Sequence, residues 1–446
     1  MAVLLVFHAG CILPSAFADY YAAQNGQTPS APYTSWASAA NNIQDAVNAA
    51  TSNSTVWVGA GRYTAPSAPT NYGGATNVVF IYRPITLRSS NSVPESTIID
   101  GEGKNRGITW LYSSTSTNNC ALDGLTISNC TSYPTNVGGG LMFAIPGTWT
   151  CTVRNCIFTD NLAVSTNGTI LSYGGGIFVS YTGNFGLDIS NCVIRNNRAT
   201  NTVTAANARG GGFDIYTYNG LNYIYGCLVE NNEAGHEGGG GGVHSRAKTI
   251  DNCTFRNNRT TVYLNAMSGG GGYFGIGTIR NCLFYNNYVA SSAGGGGIFN
   301  DRAGTLYIYN CTIVSNRAAS GGGIKIRANT ADDLLQMDNS IVYSNSVDDI
   351  SLGATNINLI SFSCFVSNAN MGVVNGAYNV TNNPRLADFT GRNYHLNQDS
   401  PCLNAGTNQD WMSSGIDLDE RARIRYGIVD MGAYEHVYDG TVYMLR

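Results

Sequence analysis

Asp214, His244, Arg246, Asp301, Lys325 and Arg327 stand at matched distances behind runs of glycine, in a chain of which only 12% is charged. Each glycine run is followed by a short apolar stretch. In extended backbone, alternate residues of such a stretch point to opposite faces. The second residue past each run makes one outward series: Met142, Phe178, Asp214, His244, Phe274, Phe299 and Lys325. The fourth makes another: Ala144, Ser180, Tyr216, Arg246, Ile276, Asp301 and Arg327, with Arg302 beside Asp301. This mixture suits an anionic sugar polymer. Aromatic faces stack on sugar rings, an arginine fork neutralises a carboxylate, and a histidine or lysine takes a proton. Lyase cleavage at a uronate needs a cation to acidify the C5–H, a base to remove it, and an acid for the leaving oxygen. Arg246 or Arg327 suits the first role, His244 or Lys325 the second, and Tyr216 the third. Asp214, Asp301, Arg302, Phe178, Phe274 and Phe299 are the expected ligand contacts. The bland alternative is a solvated sheet face on which a few charges align.

Other chemistries fit less well. Glycoside hydrolysis needs two carboxylates about 5–9.5 Å apart. Asp214 and Asp301 lie three repeats apart, roughly 14 Å at strand spacing. Asp332-Asp333 and Asp348-Asp349 read as solvated turns. Glu230, Glu233, His236 and Glu237 read as a solvated loop rather than a metal site. No Cys-x-x-Cys pair offers zinc ligands. No acidic calcium loop is present, so no metal site is expected, although scattered aspartates and carbonyls leave calcium open. A net charge of −4 with only 12% charged residues argues against nucleic acid, which requires a basic stripe.

These residues are positioned by a repeat. Asn191-Cys192-Val193-Ile194-Arg195-Asn196-Asn197 returns at Asn252 to Asn258 and at Asn281 to Asn287, with looser copies at Asn155, Gly226, Asn310 and Asn339. The copies recur every 26 to 36 residues, with most of the 54 glycines in phase between them. Such a period means a solenoid. Three short strands per turn, joined by parallel crossovers, predict a right-handed parallel β-helix of about ten to twelve coils. Cys130, Cys156, Cys192, Cys227, Cys253, Cys282 and Cys311 share one repeat position. They are expected as a buried column whose parallel side chains disfavour bridging. Cys364 and Cys402 lie outside that column and make the better disulfide guess. Residues 19–34 read as irregular. A short helix from Ser35 to about Ala50, with Ala39, Ile43, Ala46 and Val47 on one face, is expected to cover the open first coil.

The chain opens with an apolar run from Ala2 to Phe17 ending in Ala16-Phe17-Ala18, the pattern of a signal peptide over 1–18. No later segment is apolar enough to span a bilayer. The array resembles the pectin-lyase-like β-helix superfamily over 55–350. The opening, Asn42-Ile43-Gln44-Asp45-Ala46-Val47 followed by Val56-Trp57-Val58-Gly59-Ala60-Gly61, is similar to the first coil of bacterial secreted β-helix proteins. Residues 351–446 resemble a choice-of-anchor Q domain. The matching residues are Asn383-Pro384, Tyr394-His395-Leu396, Ser400-Pro401-Cys402, Asn404-Ala405-Gly406, Asp417-Leu418-Asp419 with Arg423, and Asp430-Met431-Gly432-Ala433-Tyr434-Glu435. Residues 19–54 then form the N-terminal cap. The superfamily hosts polysaccharide lyases, hydrolases, adhesins and structural spikes, so the fold alone does not choose. With the outward series, the expectation is a secreted or cell-surface monomer that binds an extracellular polysaccharide, with lyase cleavage as the further step. The rival is a non-catalytic adhesin or spacer. No catalytic motif of the superfamily transfers onto the series above.

Overall fold

The computed structural model describes residues 18–437 except 67–70, 73, 92, 112–117, 134–135, 145–148, 168–170, 182–184, 204–207, 218–220, 244–246, 262–268, 291–293, 328–332, 353–356 and 367–372. The opening apolar run, His244 and Arg246 lie outside the described residues. The rest winds as a parallel β-helix. One sheet has 13 strands, two have 11, and a fourth has six. A single coil visits all four: Phe185–Ser190 in the 13-stranded sheet, Val193–Arg195 in an 11-stranded one, Arg198–Asn201 in the six-stranded one, and Phe213–Thr217 in the second 11-stranded one. The fourth strand, Arg198–Asn201, follows the turn at Asn196-Asn197 and adds one to the three expected.

Two tight turns set the period. At the first, Asn129, Asn155, Asn191, Asn252, Asn281, Asn310 and Asn339 all have φ between 50° and 54°. Asparagine tolerates this left-handed backbone better than any β-branched residue. The cysteine that follows points inward, and Cys192 Sγ donates to Ser190 O at 3.2 Å. All seven cysteines of the column are buried thiols. At the second turn, Asn161, Asn197, Asn232, Asn258, Asn287, Asn316 and Asn345 form a ladder. Each side-chain amide donates to the Oδ1 of the next coil's asparagine at 2.9–3.1 Å. Asp349 ends the ladder by accepting from Asn345 Nδ2 at 2.9 Å. Asp348 and Asp349 are therefore buried structural groups, not the solvated turn expected; Asp348 accepts from the Gly321 amide.

Three further expectations change. Asp19–Ala22 is an ordered strand that pairs with Thr55–Val58. Ser35 caps only a 3-10 turn, Trp36–Ser38; the α-helix is Ile43–Ala49, because Asn42 caps it by accepting from the Asp45 amide. Its buried Gln44 bonds both backbone groups of Phe80, tying the helix to a sheet strand. The disulfide joins Cys120 and Cys151, direct partners on adjacent strands with Cα atoms 4.7 Å apart. Cys364 and Cys402 stay thiols, packed together in one small cluster.

The C-terminal segment does not stop at the last coil. It runs back along the flank, where Asn252 Nδ2 donates to Asp417 O at 3.2 Å, Asn310 Nδ2 to Asp430 O at 3.2 Å, and Asn339 Nδ2 to Thr407 O at 2.9 Å. Tyr394 packs with Leu283, Tyr285 and Val314 of the first 11-stranded sheet.

One interior residue opposes the fold. Lys248 shares the inward face with Ile250, is 5% exposed, and reaches only Val243 O at 3.4 Å and the Phe274 ring. Burial holds its amine well below the usual lysine value, with Arg302 pushing the same way. The unfolded chain then binds a proton that the folded chain does not. Stability should rise with pH up to the free lysine value near 10.4, and the penalty is fullest below the folded value. Lys248→Met is expected to raise stability by about 2 kcal/mol at neutral pH and to flatten that rise. Denaturant unfolding at several pH values checks both; an unchanged pH slope refutes the reading.

Candidate functional site

The site follows from where each glycine run turns. Gly138, Gly174, Gly210, Gly238, Gly269, Gly295 and Gly321 all have left-handed φ. A Cβ at Gly210 would collide with the Phe213 carbonyl and the Asp214 Cβ. The chain before the glycine therefore folds over the strand after it. The strand register places Met142, Phe178, Asp214, Gly242, Tyr273, Phe299, Lys325 and Ser351 in one outward column. Every member with a left-handed glycine sits four residues beyond it. In the run 269–272 the turning glycine is the first of four, so counting from the last overshoots by one, and a one-residue slip turns a side chain to the other face; in 238–242 the overshoot is two, which keeps the face.

Phe274 is the casualty. It is fully buried inside the coil, 5.5 Å from Phe255 and 6.0 Å from Phe284, and is no ligand contact. Tyr273 takes the outward place instead. Phe178 and Phe299 do point outward but are covered, at 8% and 1% exposed. The Tyr173 ring stacks on Phe178 at 5.4 Å, and Tyr273 packs on Phe299 at 5.9 Å. Asp214 is likewise buried.

Around this column the structure gathers one polar neighbourhood. Arg209 pairs with Glu237 at 3.3 Å and lies 6.0 Å over the Tyr173 ring. Burial pushes the Tyr173 phenol up; Arg209 pulls it back, and Asp214, Glu237 and Tyr216 push it further. Tyr273 donates to Asp301 and accepts from Arg302 Nε at 2.9 Å. Burial, then Asp301, hold the Tyr273 phenol in its neutral form. Tyr216, at 46% exposed, faces solvent and lies within the electrostatic reach of both Tyr173 and Arg302. Lys325 and Arg327 follow along the axis. Lys325 is half-buried; burial lowers its amine, Asp348 opposes, and Arg327 adds to the lowering. Arg327 is exposed, its backbone held to Asn300 O at 2.8 Å.

The structure thus joins Asp214, Tyr216, Asp301 and Arg302 in one area, with Lys325 and Arg327 beyond it. The counting by runs missed Tyr173, Arg209, Glu237 and Tyr273; counting from the first glycine of runs 238–242 and 269–272 finds Tyr273. Glu230, Glu233 and Glu237 are not a solvated loop. Glu230 pairs with Arg256 at 2.6 Å, Glu233 with Arg198 at 3.0 Å and with Arg259. Among the described residues, no three His, Cys, Asp or Glu side chains stand together as metal ligands.

No curated protein matches the chain. Among solved structures, pectate lyase Pel9A is similar at a TM-score of 0.56 and 14% identity, covering 94% of this chain and 96% of that one. A rhamnogalacturonan lyase scores 0.39 at 12% identity, covering 86% and 95%. The mannuronan C-5 epimerase AlgE4 A-module of Azotobacter vinelandii scores 0.35 at 13%, covering 76% and 94%. At such identities the pectate lyase likeness is one of fold alone, and the two lower scores carry no argument. No helix among the described residues is long and apolar enough to cross a membrane. The family model "Right handed beta helix region" matches residues 83–331, more than half of the sequence, and the chain belongs to that family.

Proposed function

We propose that this protein binds an acidic polysaccharide along the outward face of the glycine-led strands, and that Lys325 acts there as the base of a lyase reaction. One observation carries the reading. Tyr216, the Asp301–Tyr273–Arg302 cluster, Lys325 and Arg327 follow one another along a single face, over roughly 19 Å at strand spacing. Tyr216 offers an open ring, Arg302 and Arg327 offer cations for uronate carboxylates, and Lys325 offers an amine that burial keeps nearer neutral. Asp214 and Asp301 remain three coils apart, which argues against a two-carboxylate hydrolase. The apolar opening and the tail motifs support export to the cell surface or beyond; cell fractionation with N-terminal sequencing tests that, and protein found only inside the cell with its opening run intact refutes it.

A panel of acidic and neutral polysaccharides, read by the absorbance of new unsaturated uronate, tests the activity. Lys325→Ala is expected to lower the rate at least 100-fold with little change in KM. Arg327→Ala is expected mainly to raise KM. No product and no binding across the panel defeats the proposal. The engagement of Asp301 and Arg302 by Tyr273 favours a second, non-catalytic reading for that end of the face: binding without product supports it.

A further inference from the structure

A different face carries a recess of about 390 Å³, lined by Arg62, Glu95, Ile98, Asp100, Ile157 and Arg195, among others. It lies on the outer side of the first 11-stranded sheet. Ile98, Thr126 and Ile157 occupy one register position on successive strands, and Asp100, Ser128, Thr159 and Arg195 occupy the next outward one. With Arg62 beside Ile98 on the preceding strand, five strands line the recess, which runs along the axis for about 19 Å at strand spacing. We propose that it holds a short carbohydrate segment.

The lining has the character of a sugar site. Two isoleucine side chains present C–H surface to a ring face, while hydroxyl, amide, carboxylate and guanidinium groups surround them. The anchors are set in place beforehand. Asp100 pairs with Arg62, accepts from the Glu102 amide at 2.6 Å and from Asn129 Nδ2 at 3.4 Å. Asp160 accepts from Thr159 Oγ1 at 2.6 Å. Fixed partners lose little freedom on binding. Among the described residues, the Arg195 guanidinium and the Glu95 carboxylate make no ion pair or side-chain hydrogen bond, and both are exposed. They are donor and acceptor in search of a ligand. Two arginines face three acids here, so no net positive field selects nucleic acid or a polyanion. A peptide strand has no sheet edge to join, because these strands are paired on both sides.

The recess is also bounded. Continuing along the axis, the same outward column reaches the Glu230–Arg256 ion pair and then Tyr285, where Tyr394 of the C-terminal segment sits at 5.2 Å. The chain covers this face itself beyond that point. A ligand therefore lies in the first half only, which fits a short segment rather than a polymer running the whole length.

The test is calorimetric titration of the intact protein with linear neutral and uronate-containing tetrasaccharides, beside Arg195→Ala and Ser128→Trp. At least one sugar is expected to bind the wild type. Arg195→Ala, on an exposed side chain, should weaken it at least tenfold, and Ser128→Trp should fill the recess and remove the heat. Melting curves matching the wild type show that the variants fold, and Arg195→Ala alone decides if the tryptophan does not. The proposal falls if no sugar binds the wild type, if both variants bind as the wild type does, or if only Lys325→Ala removes binding. That last result would place the sugar on the face proposed above. A failed lyase screen leaves this recess standing, since its readout is binding alone.

Discussion

In Arg423→Ala protein, the C-terminal segment comes away from the coils, at an expected cost of about 3–5 kcal/mol, because a buried pair has lost one partner. Arg423 is fully buried. It pairs with Glu435 at 3.2 Å and donates to Gly432 O at 2.6 Å and Asp430 O at 3.3 Å. The acids around it hold turns: Asp417 accepts from the Glu435 amide at 2.7 Å and the Arg421 amide at 2.8 Å, and Asp430 from the Asn404 amide at 2.6 Å and the His436 amide at 2.7 Å. Those turns present Gly432 N to Asn339 O at 2.7 Å and Ala433 N to Thr312 Oγ1 at 3.0 Å, the clasp onto the coils. Without the arginine, three acids share a buried site with no cation.

The pH dependence carries a definite sign. Burial pushes the Glu435 carboxyl up to about 8, against the pull of Arg423. Its folded value exceeds the unfolded value near 4.3. Its contribution is therefore fully present below the unfolded value and is lost as pH rises through about 8. Removing Arg423 raises the carboxyl further, so the variant should be hurt most in alkali and least in acid. Limited proteolysis of the segment, followed by mass at several pH values, checks this. Arg423→Lys should not rescue it, since one ammonium cannot serve the carbonyls and the carboxylate together. Wild-type protease resistance in Arg423→Ala would refute the clasp.

Asn258→Ala has the second large effect, about 4 kcal/mol, and it acts in the middle of the coils. Asn258 Oδ1 accepts from Asn232 N and Asn232 Nδ2, both at 3.0 Å. Its own Nδ2 donates to Val229 O at 2.9 Å and Asn287 Oδ1 at 3.1 Å. Alanine would orphan buried groups on two coils at once, each worth about 1–3 kcal/mol. Its neighbour Asn257 is a control. That residue holds φ at 55°, and its side chain makes no bond in the ladder. Asn257→Gly should change stability by only a few tenths of a kcal/mol, because glycine accepts that backbone freely. Equal denaturation midpoints for Asn257→Gly and Asn258→Ala would show that the ladder contributes nothing.

The pair also shows what a local sequence can specify. Asn257 and Asn258 are identical residues in adjacent places, and the structure gives the first the left-handed turn and the second the stacked amide. Turn backbone and strand alternation depend on nearest neighbours, so the β-helix and the inward cysteine column were readable from period alone. The glycine runs were not. In Gly238 to Gly242 any glycine accepts positive φ, so nothing local says which one turns. Only pairing with the coils on either side selects Gly238 there and Gly269 in the next run, and the turn at Gly269 sends Phe274 inward and brings Tyr273 out. The disulfide partner of Cys120, the ion pairs of Glu230 and Glu233, and the course of the C-terminal segment depend likewise on residues distant in sequence. The repeat by itself determined the scaffold, because the same residue at every period gives each coil a like partner above and below. Which side chains face solvent together was decided between coils, where a single residue of register exchanges the two faces of a strand.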